Sequence, residues 1–332
     1  MARLQLNLGC GSYDQTRALM DGSVQPEGID LKYTLSFPAD TFPRMVRDKA
    51  FDVSELGFTY YLGTLAQPNP PFVAIPVYPI RFFPQSAIFV NSDSGIKEPK
   101  DLIGRRLAEL FIYGHDAGTW AKGMLSDEYG VPVRGVSYKV GGLDRPASRW
   151  DWLPFDTPPD VQVQQIGPDQ TLDALLESGE IDALYSAMVP PSLVKGSRRV
   201  RYLFQNHEAA GRDYFRRTGI FPIMHVVVIR KEIYQEDPWV AESLYKAFVE
   251  SKRRAEELYR FQAQHMQRIF MIPWLSAHVE ENRALMGDDP WPYGLKKNRK
   301  PLETFLRYHY EHGLSSRHWK PEDLFTTETI DT

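Results

Sequence analysis

The stretch that decides the fold is "SGIKEPKDLIGRRLAEL", Ser94–Leu110. It is charged and turn-rich through Gly104, then changes register into a short run, Arg106–Leu110, that reads as a new strand. On its N-terminal side lies a complete β-α-β-α-β beginning. Leu4–Leu8 alternate leucine with polar residues, and Ile29, Leu31, Tyr33 and Leu35 alternate again. A short helix around Gln15–Met20 joins these two strands, and "ADTFPRMVRDKA" (39–50) reads as a second helix. "FDVSEL" (51–56), "PFVAIPVYP" (71–79) and "SAIFVN" (86–91) supply three apolar strands. On the C-terminal side a second α/β unit starts afresh. A loop and helix come from "YGHDAGTWAKGMLSDEYGV", and strands from "VSYKVGG", "VQVQQIG", "IDALYSA" and "RVRYLFQN". "TGIFPIMHVVVIRKEIYQ" then resumes a buried strand, followed by a long helix from Asp237 and a last helix ending at Gly313. Asp237 is expected as N-cap with Pro238 in the first turn, and Glu242/Lys246 and Glu250/Arg254 as i,i+4 pairs.

The expected fold class is therefore α/β with two lobes around a central ligand cleft. Residues 1–99 and 216–332 make a discontinuous lobe I, and residues 100–215 an inserted lobe II. Two crossing segments form the hinge. Ligands in such folds sit at loops leaving the strand C-termini.

Composition removes several function classes. The 332 residues are 42% apolar and 13% aromatic, enough for a ring-rich core or cleft. Net charge is −4 and the pI about 6.1, without the basic excess of a nucleic-acid binder. Cys10 is the single cysteine, so no intrachain disulfide forms. The residues before Cys10 include Arg3, Gln5 and Asn7, which breaks the apolar run a signal peptide needs. No run approaches the ~20 apolar residues of a membrane helix. The expectation is a soluble, cytoplasmic protein with no nucleic-acid or membrane partner, either monomeric or a homo-oligomer.

"LNLGCGSYDQTR" (Leu6–Arg17) followed by "GID" invites a cofactor-loop reading. Ser12-Tyr13 stands where a third small residue would let the backbone approach a nucleotide. Only a short helix fits before the next strand, and that strand continues past Asp30 instead of ending there. The stretch is better read as a strand followed by the first ligand-facing loop. A lone cysteine such as Cys10 is then a small buried hydrophobe.

With these pieces placed, "GIKEPKDLIGRRLAEL" and "LLESGEIDALYSA" resemble the lobe-crossing turn and the "G-x-IDA" strand of the type II periplasmic-binding-protein-like fold. More specifically, "YDQTRALMDGSVQPEGIDLKY", "FDVSELGFTYY", "WAKGMLSDEYGV", "YFRRTGIFPIMHVVVIRKEIY" and "DPWPYGLKKNRKPLETFLRYHYEHGLSSR" resemble the 4,5-dihydroxyphthalate decarboxylase family. The resemblance spans residues 13 to 317, with "RRTGIFPIMH" and "PWPYGLKKNRK" its most specific parts. It implies non-oxidative decarboxylation of a small aromatic carboxylate, with protocatechuate and carbon dioxide as products and no organic cofactor. A divalent metal is left open. "LFIYGHDAGTW" and the stretch Trp150–Pro159 depart from the family wording, and both are expected to line the cleft.

Such chemistry needs arginines for the carboxylates, a base or polarising group for a ring hydroxyl, and a proton donor near the attacked carbon. Arg17 and Arg81 are the carboxylate candidates because arginine pairs bidentately with carboxylate; the alternative is a surface or crossover ion pair. His225, set in "GIFPIMHVVVIR", is the leading acid–base candidate, against a structural histidine. His115 and Asp116 are further catalytic candidates, with His115 the alternative proton donor; they open a helix where Gly118 and Thr119 offer anion donors. Ser54 and Glu55 end the third strand, Ser12, Tyr13 and Asp14 follow the first, and Ser186 and Met188 end "IDALYSAM". His309 and His312 are read as a solvated or packed helix face and not as metal ligands. On this reading Arg17→Ala damages activity and Cys10→Ala does not.

Overall fold

The computed structural model describes residues 3–147, 157–265 and 269–332. The Trp/Pro stretch expected along the cleft lies, for Trp150–Asp156, outside the described residues. Eleven strands are described: β1 Leu4–Cys10, β2 Ile29–Leu35, β3 Val53–Gly57, β4 Phe72–Ile75, β5 Ile88–Asn91, β6 Leu107–Leu110, β7 Ser137–Gly141, β8 Gln162–Gln165, β9 Ala183–Tyr185, β10 Val200–Tyr202 and β11 His225–Arg230. They form two sheets, ordered β2-β1-β3-β11-β4 and β10-β5-β9-β6-β7-β8.

In the first sheet β1 runs parallel to β2 and β3, while β11 is antiparallel to both β3 and β4. In the second, β6 is parallel to β7 and β9, and β5 is antiparallel to β9 and β10. The continuous apolar run Val226–Ile229 is fully buried, as a strand covered on both faces must be. The same register brings His225 opposite Gly57, at the edge where β3 ends and β11 begins. The loop after β1 leaves from that edge too.

Two connectors join the sheets. Residues 76–87 lead from β4 into β5, and residues 203–224 lead from β10 back to β11. They lie side by side, with an antiparallel bridge between Arg81 and Ile223 and a bond from the Met224 amide to the Ile80 carbonyl (3.0 Å). The crossing therefore precedes the expected position near residue 99. "SAIFVN" is an apolar strand in either sheet, and only its antiparallel pairing with β9 and β10 shows which. The second expected boundary falls inside the helix His207–Thr218, which packs its Phe215 ring against Phe83 of the first connector.

The C-terminal segment also departs from a pure lobe I role. In the helix Arg299–Glu311, Phe305 and Tyr308 pack against Trp120 of the second-sheet helix Asp116–Tyr129. Beyond it, Thr326 donates its amide to Ala74 in β4, so the tail returns to the first sheet. The long helix runs Trp239–Gln264, starting after Pro238 with no side-chain cap. The Asp237 carboxylate instead takes the Trp239 indole N–H (2.9 Å). Both expected i,i+4 pairs, Glu242–Lys246 and Glu250–Arg254, form. No helix among the described residues is long and apolar enough to cross a membrane.

Candidate active site

A cavity of about 670 Å³ opens between the two sheets at their strand-end loops. Its walls are mostly apolar, with Phe42, Phe82, Phe111 and Met188 among them. Polar groups reach it from both sides. Ser12, Tyr13 and His225 come from the first sheet, and His115 and Asp116 from the second.

On the first side Glu55 is the centre. It sits in β3 with no exposure, yet it is well bonded. It accepts from the Gly11 amide (3.0 Å), the Tyr13 hydroxyl (2.8 and 3.0 Å), the Cys10 thiol (3.5 Å) and His225 Nδ1 (2.5 Å). Burial by itself drives this carboxyl upward, but the His225 imidazole, the Gly11 amide and the Tyr13 hydroxyl more than reverse it, so it lies below the usual range. A carboxylate there accepts from Nδ1–H, which leaves His225 Nε2 uncommitted to Glu55. The Phe42 ring holds the imidazole edge-on at 5.1 Å.

On the second side Glu109, in β6, plays the matching part. It is fully buried and accepts from the Gly114 amide (2.7 Å), His115 Nδ1 (3.1 Å) and the Lys122 ammonium (2.5 Å). Burial raises this carboxyl, and Lys122 and His115 then bring it below the usual range. Between the two pairs lies Asp116, whose Oδ1 accepts from the Thr59 amide (2.6 Å). Burial dominates there and holds the carboxyl above its usual value, against the opposing pull of His225, the Thr59 amide and His115. Gly57 leaves Asp116 its space, because a Cβ there would collide with Oδ2 and with the Tyr60 ring.

The remaining sequence candidates divide clearly. Ser186 lies behind the cavity wall, shaping the turn that presents Ala187 and Met188 by accepting from the Met188 amide (3.0 Å). Thr119 bonds the Gly114 carbonyl (3.0 Å) and steadies the His115 loop. Ser54 is buried and bonds the Gly9 and Glu55 carbonyls. Arg17 and Asp14 are not among the cavity residues: both are exposed and line a separate groove beside Arg254 and Phe261. Arg81 is buried in the connector, bonding the carbonyls of Phe221 (3.0 Å) and Pro292 (2.7 Å) and Asn298 Oδ1 (2.5 Å). That is a hinge clamp without a carboxylate, and no arginine lines the cavity among the described residues. His309 and His312 are buried away from it. Among the described residues no group of three or more His, Cys, Asp or Glu is arranged to hold a metal ion. Glu109 and Lys122 were not picked out from the sequence, although a lone acid in "LAEL" repeats the signal of Glu55 in "VSEL".

Comparison with known proteins identifies the lineage. A 4,5-dihydroxyphthalate decarboxylase of Comamonas testosteroni is 33% identical over 332 residues, covering 100% of this chain and 99% of that protein. The chain belongs to the 4,5-dihydroxyphthalate decarboxylase family. A second member, from Pseudomonas putida, is 31% identical over 216 residues, covering 65% of this chain and 83% of its own. These proteins are named as carboxy-lyases, and this chain is an enzyme of that family. No family model matches the chain.

Solved structures establish the fold of the family member described here. The periplasmic aliphatic sulphonate binding protein of Escherichia coli matches with a TM-score of 0.51 at 12% identity, covering 99% of both chains. The alkanesulfonate-binding protein of Xanthomonas axonopodis, bound to MOPS, matches at 0.52 and 13%, covering 98% of this chain and 99% of its own. The two-lobed α/β architecture is thus the periplasmic-binding-protein fold.

Proposed function

We propose that this family member decarboxylates 4,5-dihydroxyphthalate to protocatechuate in the cytoplasm, without an organic cofactor. The observation that carries the reading is the meeting of two carboxylate-backed histidines and a buried Asp116 in one apolar cavity between the sheets.

In this reading His225 Nε2 takes the proton of the ring hydroxyl para to the departing carboxylate. The imidazolium so formed is stabilised by Glu55. Electron density moves into the ring, and Asp116, kept towards its protonated form by burial, delivers a proton to the carbon bearing the carboxylate. The carbon–carboxylate bond then breaks, its electron pair returns to the ring, and carbon dioxide leaves. His225 returns the proton to the phenolate, and Asp116 is reprotonated from water. One proton is consumed per carbon dioxide.

The cavity suits the step. A carboxylate that becomes neutral carbon dioxide loses charge, which apolar walls favour over water. With no arginine there among the described residues, the carboxylates are left to the hydroxyls of Ser12 and Ser36 and to the amides opening the helix at Asp116.

The test is incubation of purified protein with 4,5-dihydroxyphthalate in deuterated buffer. The reading expects one carbon dioxide per protocatechuate, with one deuterium on the carbon that lost its carboxylate. Tight binding with unchanged substrate would instead make the protein a non-catalytic binder of aromatic acids. Equal turnover in the presence of a strong chelator is also expected.

A further inference from the structure

We propose that Lys122 sets the charge of the Glu109–His115 pair, so that His115 stays neutral and its Nε2 accepts a hydrogen bond from a substrate hydroxyl. Lys122 would then be a positioning residue that makes the cavity selective for hydroxylated aromatic acids. The identity of the ligand rests on the decarboxylase reading; the charge argument does not.

The Glu109 carboxylate is wholly buried and serves three donors at once: the Gly114 amide, His115 Nδ1 and Lys122 Nζ. Burial pulls the Lys122 ammonium below its usual value while Glu109 pulls it back up, and with the ammonium retained the two sum to zero charge. A proton added to His115 would leave a net positive charge in a desolvated place, which burial opposes. The first-sheet pair is built differently. Among the described residues Glu55 has no lysine or arginine partner, so a proton on His225 neutralises the site instead of charging it.

The other groups around His115 do not reverse this balance. Asp116, its neighbour, is held towards its neutral form by burial. Tyr113 and Tyr138 lie against the Lys122 ammonium, at 3.7 and 5.1 Å from it to their ring centres. Both are held above the usual tyrosine value by burial, as are Tyr60 and Tyr185 near Glu109. His312, beyond the C-terminal helix, is held neutral by burial, and Lys122 adds to that. Across the cavity stands the Glu55–His225 pair, and on the outer side Arg134 and Asp160 form their own ion pair.

The geometry then fixes what His115 presents. Nδ1 donates to Glu109, so the neutral ring carries its lone pair on Nε2. That nitrogen is buried without a hydrogen-bond partner, while the residue lines the cavity. An orphaned buried acceptor needs a donor. A phenolic hydroxyl is one, and an ionised carboxylate is not. Thr119 and Gly118 hold the arrangement: the threonine ties the loop at the Gly114 carbonyl, and a Cβ on Gly118 would run into Glu109.

The test is NMR titration of isotope-labelled histidine rings in the full-length protein between pH 5.5 and 9, with His115→Gln giving the assignment. Wild type should show His115 as the neutral Nδ1–H tautomer throughout. Lys122→Met should convert it to an imidazolium at pH 7, and Lys122→Arg should restore the neutral ring. An imidazolium in the wild type at pH 7, or identical titration in wild type and Lys122→Met, overturns the proposal; the wild-type result decides even if Lys122→Met does not fold. Calorimetry supplies the ligand arm. In a His225→Gln background, where the ligand is not consumed, 4,5-dihydroxyphthalate should bind about tenfold more tightly than phthalate, the ratio expected when a buried acceptor gains its donor. Lys122→Met should erase that preference at pH 7. Equal affinities in that background overturn the hydroxyl-reading role, whereas binding by wild type without carbon dioxide release would sink only the decarboxylase reading.

Discussion

The two sheets present the same device to one cavity and dress it differently. Glu55 with His225 and Glu109 with His115 are both buried carboxylates bonded to a histidine Nδ1. The first carboxylate is held by a hydroxyl, an amide and a thiol, all neutral. The second is held by an ammonium. The first histidine therefore shares its carboxylate with neutral groups, the second with a cation. On the proposals made above, the same pair of residue types serves as a proton carrier on one side and a hydrogen-bond acceptor on the other.

Breaking the first pair should have the largest effect. His225→Gln is expected to lower kcat by about 10³-fold, within the range for loss of a positioned acid–base group. Steady-state release of carbon dioxide measures it. Glu55→Gln leaves the imidazole in place but removes the anion that stabilises its protonated form, and a loss of about 10²-fold in kcat is expected. This variant also carries a stability signature. The Glu55 carboxyl is lowered from 4.5, so its stabilisation is present above that value and lost as pH falls through the folded value. Urea midpoints below about pH 4.5 should therefore decline less steeply in Glu55→Gln than in wild type.

Asp116 has the opposite sign. Its carboxyl is raised from 3.8, so the folded state is penalised as pH rises past the unfolded value. Asp116→Asn should keep or increase the melting temperature at pH 7 while lowering kcat by on the order of 10²-fold. A drop in both would show that the residue is structural. Gly57→Ala sharpens the point, since a Cβ there would collide with Asp116 Oδ2 and with the Tyr60 ring. A roughly tenfold loss in kcat is expected, with KM little changed. At the small end, Arg17→Ala and Cys10→Ala should each leave turnover within about twofold of wild type, as surface and small core changes do. Arg17 faces another groove and Cys10 gives Glu55 only a long thiol contact.

What the sequence made legible follows from what kind of signal each residue leaves. Strand alternation and a buried apolar run are local, so the strands and the place of His225 at the head of one of them can be read directly. Glu55 is legible with Ser54 from its place at the end of the third strand, whereas Glu109 in "LAEL" has a similar place and is not singled out. Its partners His115 and Lys122 lie on a helix turn further on, where only the folded loop brings them back to the strand. Arg81 misled for a related reason. Its partners Phe221, Pro292 and Asn298 are far along the chain, and nothing near "YPIRFF" records them. Arg17 was close to the right strand but on an exposed helix position that turns elsewhere. The crossing was placed too late because "SAIFVN" has the same apolar pattern whichever sheet it joins.

The division of labour is tested most directly by kinetics on His225→Gln and His115→Gln side by side with 4,5-dihydroxyphthalate. The account predicts that His225→Gln loses kcat with KM nearly unchanged, and that His115→Gln raises KM about tenfold with kcat within a fewfold of wild type. The reverse pattern, or equal losses of kcat in both, would contradict it.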